Sequence, residues 1–108
     1  MDEGRKDDQG KLRYDLLPPD ALEALAEIFT DGAAKYGEKN WSKGMAWSRP
    51  YAAAQRHLWQ WWSGVDIDEE SSRNHLAHAA VNILFLLAYS KRGVGTDDRE
   101  VLDGEDHF

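Results

Sequence analysis

The chain has 108 residues, enough for one domain with a single core and too few for two. It contains no cysteine, which excludes disulfide bonds, thiolate metal ligands and a cysteine nucleophile. The net charge of −7 argues against binding polymeric nucleic acid, whose affinity comes mainly from Lys and Arg on phosphates. A single nucleotide needs only a few cations placed locally, so this charge leaves a nucleotide ligand open.

The N-terminal segment, residues 1–17, is polar and predicts an extended arm in which the prolines of "LRYDLLPP" disfavour a helix. This segment lacks the apolar stretch of a secretory signal. No run elsewhere reaches the roughly 20 apolar residues that a membrane span needs. We therefore expect a soluble, cytoplasmic protein that makes no membrane contact.

The first helix is predicted to begin near Asp20, where Asp20 and Glu23 form a D-x-x-E capping signal behind Pro19. Its apolar face continues to about Tyr36, and the segment "GEKNWSKGM" that follows is predicted to be a loop. The second helix is predicted to begin at "SRP", with Pro50 in its first turn, and to end at Trp62. Its expected core-facing residues follow helical spacing: Tyr51, Ala54, Leu58 and Trp61.

The third helix is predicted from about Ser72 to Lys91, with Gly93 as its stop. It is the most apolar part of the chain, yet His75, His78 and Asn82 form one polar stripe at spacing i, i+3, i+7. A helix with apolar residues on every other side has no exposed face for this stripe. We therefore expect the stripe to face inward, where buried polar groups must find partners.

These elements predict an all-α fold, a small bundle of three main helices plus the extended arm. No segment shows sustained alternation of apolar and polar residues, so strands are not needed. Three helices bury little surface for a chain of this size, so we expect a homo-oligomer, a dimer or tetramer, that shares helices. The predicted divisions are the arm (1–17), a helical nucleotide-binding domain (18–95) and an acidic tail (96–108).

A first candidate site combines histidines of the second and third helices. A short connection makes these helices neighbours, so His57 can meet His75 and His78, and the acidic loop with Asp66 and Asp68 lies at their common end. Imidazole nitrogens favour Zn, Mn, Fe, Co or Ni over a pure Mg site. The alternative interpretation is that these are core histidines satisfied by ordinary hydrogen bonds.

A second candidate site is the loop "KYGEKNWSKG", residues 35–44. Lys35 and Lys43 suit phosphates, Asn40 suits a base edge or a sugar, and Trp41 or Tyr36 suits base stacking. The alternative interpretation is a solvated loop whose Trp41 fills the bundle core.

Several motifs together resemble a known phage and prophage family. The arm GK-x-R-Y-D-L-L-P-P, "GAAKYGEKNW", "RHLWQWWSG" and "HLAHAA" are similar to the dATP/dGTP diphosphohydrolase N-terminal domain family, over about residues 8–99. The resemblance implies hydrolysis of a purine deoxynucleoside triphosphate to monophosphate and pyrophosphate. It also implies a MazG-like all-α fold, in which E-x-x-E and E-x-x-D helices hold Mg²⁺. His75 and His78 stand where E-x-x-D would be, and His57 roughly where the earlier acid would be.

The resemblance implies a divalent metal ion (Mg, Mn, Co or Zn) and three groups of site residues. The expected metal ligands are His57, Asp66, His75 and His78. The expected general base is Asp68 or Glu38. The expected nucleotide contacts are Lys35, Lys43 and Arg56 for the phosphates, with Tyr36, Asn40 and Trp41 for the base. One alternative is a non-catalytic protein, either a sponge for a signalling nucleotide or a regulatory nucleotide-binding domain. Another is a purely structural helical oligomer.

Overall fold

The computed structural model describes residues 3–102, and over this range the fold is helical, as predicted. The three helices are α1 (Pro19–Tyr36), α2 (Ser48–Trp62) and α3 (His75–Arg92). Two short antiparallel strands, β1 (Ile67–Asp68) and β2 (Arg73–Asn74), form a hairpin between α2 and α3. Single 3-10 turns lie at Tyr14–Leu16 and Asn40–Lys43. Both α1 and α2 pack against α3, which is therefore the central helix.

The helix starts differ slightly from the predicted ones. Helix α1 begins at Pro19 rather than Asp20, because the fixed φ of proline suits the first helical turn. Helix α3 begins at His75, three residues after the predicted start. Asn74 is its N-cap, and its side-chain oxygen accepts hydrogen bonds from the backbone N–H groups of Leu76 (2.7 Å) and Ala77 (3.4 Å).

The hairpin was not predicted, because strands of two residues are too short to show an alternating pattern. Asp68 pairs with Arg73 and Ile67 with Asn74. This pairing holds residues 73 and 74 extended, which is why α3 cannot begin at Ser72.

The segment after α3 is tied to the start of α2. Gly93 ends α3 in the left-handed conformation (φ 67°), as predicted. The Trp47 N–H then donates to the Thr96 carbonyl (2.9 Å). The Asp98 carboxylate accepts from the Ser48 N–H (2.9 Å) and from its hydroxyl (2.5 Å). The first residues of the predicted acidic tail thus lie against the N-terminus of α2, where a negative charge is favourable.

The core of the chain is small. The buried apolar residues are Ala54, Ala77, Ala79, Val81 and Tyr89. The predicted core face of α2 is wrong for this single chain, since Tyr51 is 57% exposed, Leu58 40% and Trp61 36%, and only Ala54 is buried. The reason is that α2 packs mainly on α3, so most of its apolar surface has no neighbour. No helix among residues 3–102 is both long and apolar enough to cross a membrane.

We expect Asp98→Ala to lower the free energy of unfolding, because it removes the carboxylate that accepts hydrogen bonds from the first residue of α2. Asp97→Ala is the matched control, since Asp97 bonds only the exposed Arg99 next to it. Urea denaturation of both variants checks this. Equal losses of stability would show that the Asp98 contact does not hold α2.

Candidate functional site

Three histidines meet where α2 crosses the first turn of α3. The Nδ1 atoms of His57 and His75 lie 2.9 Å apart, so one ring donates a proton that the other accepts. The rings of His57 and His78 stack with centroids 4.5 Å apart and an angle of 9° between planes. His75 is buried and the other two are half-buried. The structure therefore brings together the three histidines that the helical spacing placed on facing sides; we call them the histidine cluster.

The hairpin adds a carboxylate and a hydroxyl to the histidine cluster. The Ser71 hydroxyl donates to the Asp68 Oδ2 atom (3.0 Å) and lies 2.6 Å from the Nε2 atom of His78. Because the single hydroxyl proton goes to Asp68, His78 must donate its Nε2–H to the serine oxygen. A neutral His78 then carries its free electron pair on Nδ1. Asp68 itself lies 3.6 Å from Nε2, so Ser71 connects the two groups.

Backbone and ionic contacts hold the hairpin in this position. The Asp66 carbonyl accepts a hydrogen bond from the His75 N–H (2.8 Å). The Arg73 guanidinium binds Asp31 of α1 through two nitrogens (2.8 and 3.0 Å) and also pairs with Glu27. These contacts connect the hairpin, which carries Asp68 and Ser71, to α1 and to the start of α3.

The environment favours the neutral form of His57 and His78 and the ionised form of Asp68. Burial lowers the pKa of His57, and the neighbouring His78 and His75 lower it further. Burial also lowers the pKa of His78, with Asp68 opposing the shift. Burial acts to raise the pKa of Asp68, but hydrogen bonds from Ser71 and the Glu70 N–H outweigh it and the pKa is lowered. Near neutral pH the neutral imidazoles of His57 and His78 thus lie beside a carboxylate anion.

The predicted nucleotide loop lies at a different place on α3. Trp41 stacks on Phe85 (centroids 5.3 Å apart, 19° between planes), its ring is also 6.0 Å from that of Phe29, and the Arg92 guanidinium lies 5.2 Å from its centre. In this chain Trp41 packs in the core, as the alternative interpretation had it. Phe85 is two helical turns, about 10 Å, from His78 along α3, so the loop and the cluster are separate regions.

The remaining predicted site residues have few partners in the described chain. Lys35 lies over the ring of Tyr36 (5.1 Å), and both are exposed. Asn40 is half-buried. The predicted phosphate contacts Lys43 and Arg56 are exposed, and so is Glu38, one of the two predicted general bases. Asp66 reaches the cluster through its backbone carbonyl, and its residue is exposed. The roles of all these residues stay predictions.

The donor types of the cluster suit a transition metal, but the arrangement does not fit one. Within residues 3–102 no three His, Asp or Glu side chains are placed as ligands of a single ion. His57 and His75 point Nδ1 at each other, and the stacked rings of His57 and His78 keep their nitrogens in nearly parallel planes. Ligands of one ion instead point their electron pairs at a common centre about 2 Å away. Metal binding therefore stays a prediction that requires the rings to turn.

Two residues that shape the cluster and its hairpin were not predicted from the sequence. Ser71 was not among the predicted site residues, although it stands three residues after Asp68 and seven before His78. Arg73 carries no sequence signal, because its partners are more than 40 residues away on α1.

Fold and site together define a small α-helical protein with a histidine cluster between two helices. The family model described as "dATP/dGTP diphosphohydrolase, N-terminal" matches residues 1–99, so the chain belongs to this family, as its motifs predicted. A relative, the dATP/dGTP diphosphohydrolase of Salmonella phage PMBT28, is 34% identical over 96 residues. The match covers 89% of this chain and 33% of the relative, so the chain spans about a third of that protein's length. No solved structure matches.

Neutral His57 and His78 predict that stability falls as the pH is lowered. Because burial puts both pKa values below the ordinary value of about 6.5, the unfolded chain binds more protons than the folded one as the pH falls through and below that value. Asp68, Asp31 and Glu70 oppose the shift at His78 without cancelling it. Urea denaturation with EDTA at about pH 7.5 and about pH 5.5 should show a smaller free energy of unfolding at the lower pH.

The control for this pH dependence is the double variant His57→Gln with His78→Gln. It removes both titrating groups, so most of the difference between the two pH values should disappear. The same difference in wild type and double variant would contradict the neutral state of these histidines.

Proposed function

We propose that this protein hydrolyses a purine deoxynucleoside triphosphate to the monophosphate and pyrophosphate, and that the histidine cluster is where the bond is cleaved. The observation that carries the proposal is the meeting of His57, His75 and His78 with the Asp68–Ser71 pair. It occurs in a chain of the family described as dATP/dGTP diphosphohydrolase, N-terminal, and the phage relative bears the same name.

Cleavage of a phosphoanhydride by water needs a group that accepts the water's proton. The Nδ1 atom of His78 is the best candidate, because its Nε2 atom is committed to Ser71. Asp68 then acts through Ser71: it holds the tautomer of His78 and stabilises the imidazolium that forms when the proton is taken up. In this proposal Asp68 is a positioning residue, and His78 is the base in place of the expected Asp68 or Glu38.

Phosphate and base recognition are assigned to the predicted nucleotide residues. Lys35, Lys43 and Arg56 would neutralise phosphate charge, and Asn40 would hold the base. Trp41 is engaged by Phe85 and Arg92, whereas the Tyr36 ring is 62% exposed and suits stacking better. The nucleotide loop contacts α3 at Phe85, about 10 Å along the helix from His78, so the nucleotide would lie along that helix.

A divalent ion would supply positive charge at the phosphates and a more acidic bound water. Because the cluster as arranged does not converge on one ion, the roles above are assigned to the side chains alone. The dependence of turnover on Mg, Mn, Co or Zn is therefore part of the test.

A second candidate is a regulatory or sequestering domain that binds a nucleotide without cleaving it. The observation that favours it is coverage, since two thirds of the phage relative lie outside the match. The relative's name does not say whether its catalytic groups lie in the matched third or in the rest of that protein. On this alternative the nucleotide loop, residues 35–44, and not the histidine cluster, would dominate binding.

We expect wild type to convert dATP or dGTP to monophosphate and pyrophosphate in a screen of the four triphosphates with each metal or with EDTA. Ser71→Ala and His78→Gln should each lower kcat by about 10²-fold, because proton transfer to a positioned base contributes at least that much. Ser90→Ala is the matched control, since it removes an exposed hydroxyl from the far end of α3, away from the cluster. Anion-exchange chromatography of the products measures all three.

Two outcomes would contradict the proposal. Full activity in Ser71→Ala and His78→Gln would place the chemistry outside the cluster. Absence of product under every condition, with a nucleotide that binds in equilibrium dialysis and is recovered intact, would establish the non-catalytic alternative.

A further inference from the structure

The Ser71 hydroxyl has three partners, which use all the hydrogen bonds that a serine hydroxyl can make. It donates its proton to Asp68 (3.0 Å), and its oxygen lies 2.6 Å from the Nε2 atom of His78. The third partner is the backbone N–H of Arg73, which donates to the same oxygen (3.2 Å). A hydroxyl oxygen has two electron pairs, so one accepts from Arg73 and the other is left for the Nε2–H of His78. The hydrogen bond from Arg73 thus helps to fix which nitrogen of His78 carries the proton.

The side chain of Arg73 holds this backbone N–H in place. All three of its guanidinium nitrogens bond carboxylates of α1, two to Asp31 (2.8 and 3.0 Å) and one to Glu27. These two acids stand four residues apart, so they lie on the same side of α1. A guanidinium bound through two nitrogens is fixed in orientation as well as in distance. Helix α1 therefore sets the position of the N–H group that bonds Ser71, although it contributes no histidine to the cluster.

Local backbone preference does not hold the turn that carries Ser71. The next residue, Ser72, has a φ of 61°, in the left-handed region that residues other than glycine rarely adopt. Its N–H donates to the Asp68 carbonyl (2.7 Å) and closes the turn. A residue in this conformation persists where surrounding contacts fix it. The ion pairs from Arg73 to α1 are contacts of this kind, and they begin one residue further along the chain.

We propose that Arg73 is a positioning residue, and that its anchorage to Asp31 and Glu27 fixes the hydrogen bond that selects the Nε2-protonated form of His78. The inference rests on the proposed function, in which the Nδ1 atom of this ring takes the proton of water. It adds α1 to the parts of the chain that the reaction needs. Arg73 is not a phosphate contact in this proposal, because its guanidinium nitrogens are taken by the two carboxylates.

Two substitutions test the anchorage from its two ends. Arg73→Gln removes the guanidinium, and Asp31→Asn removes the charge of its partner while keeping the shape; Asp31→Asn carries the comparison if Arg73→Gln does not fold. Arg13→Gln is the matched control, because the guanidinium of Arg13 bonds only Asp15 on the exposed arm.

Imidazole nitrogen NMR of the folded, ¹⁵N-labelled protein without nucleotide gives the first readout. We expect His78 to be protonated on Nε2 in wild type and in Arg13→Gln. In Arg73→Gln and Asp31→Asn we expect a measurable share protonated on Nδ1, and exchange of the Nε2 proton with water that is at least about 10-fold faster. A contact that merely stabilised the fold would lower the free energy of unfolding and leave this ring unchanged.

Steady-state kinetics with dATP or dGTP give the second readout. We expect Arg73→Gln and Asp31→Asn to lower kcat by about 10-fold or more with KM nearly unchanged, because a misplaced base weakens the transition state and not the binding of substrate. The double variant should be no slower than Arg73→Gln, because both changes remove one contact.

An unchanged His78 ring in both variants would overturn the proposal. A higher KM with unchanged kcat would also overturn it, because Arg73 would then be a nucleotide contact. If wild type cleaves no nucleotide, the proposed function fails, and the NMR comparison still decides whether Arg73 positions His78.

Discussion

The packing of α2 on α3 is the interaction on which the rest of the structure depends. It places His57 against both His75 and His78, so that this single contact between helices partly shields three imidazoles from water. Polar groups removed from water must pair, and here they pair with each other and with the hydroxyl of Ser71. The same packing fixes the hairpin between the helices, and the hairpin supplies Asp68. Fold and candidate site are therefore consequences of one contact between helices.

This arrangement leaves the chain with a small core. Three of the five buried apolar residues are alanines, Ala54, Ala77 and Ala79, so little apolar area is buried. Large apolar side chains such as Leu58, Trp62 and Leu87 are left on the outside. A helix pair that brings polar groups together at its centre contributes little hydrophobic stabilisation, so additional burial has to come from other surfaces.

Local signals in the sequence predicted the helices well. Pro50 suits a first turn, Gly93 ends a helix, and the spacing of His75 and His78 puts both on one side of α3; none of these depends on distant residues. The convergence with His57 was also predictable, because a short connection forces neighbouring helices together. The capping of α2 by Asp98 and the bonds from Arg73 to α1 were not, because each joins residues more than 40 positions apart. The pattern likewise could not decide whether Trp41 would pack against other aromatic residues or stay open to a ligand, nor show that Trp62 stays 83% exposed, since apolar character alone does not specify a neighbour.

The most direct test of the central claim is imidazole nitrogen NMR of the uniformly ¹⁵N-labelled protein, with assignments from His57→Gln, His75→Gln and His78→Gln. If the cluster is the reaction site, free His78 shows the neutral tautomer protonated on Nε2, and adding dATP or dGTP shifts the ring nitrogens of His78 and His57. Saturable binding of a nucleotide that leaves all three rings unchanged would contradict the account, because the ligand would then be held away from the cluster.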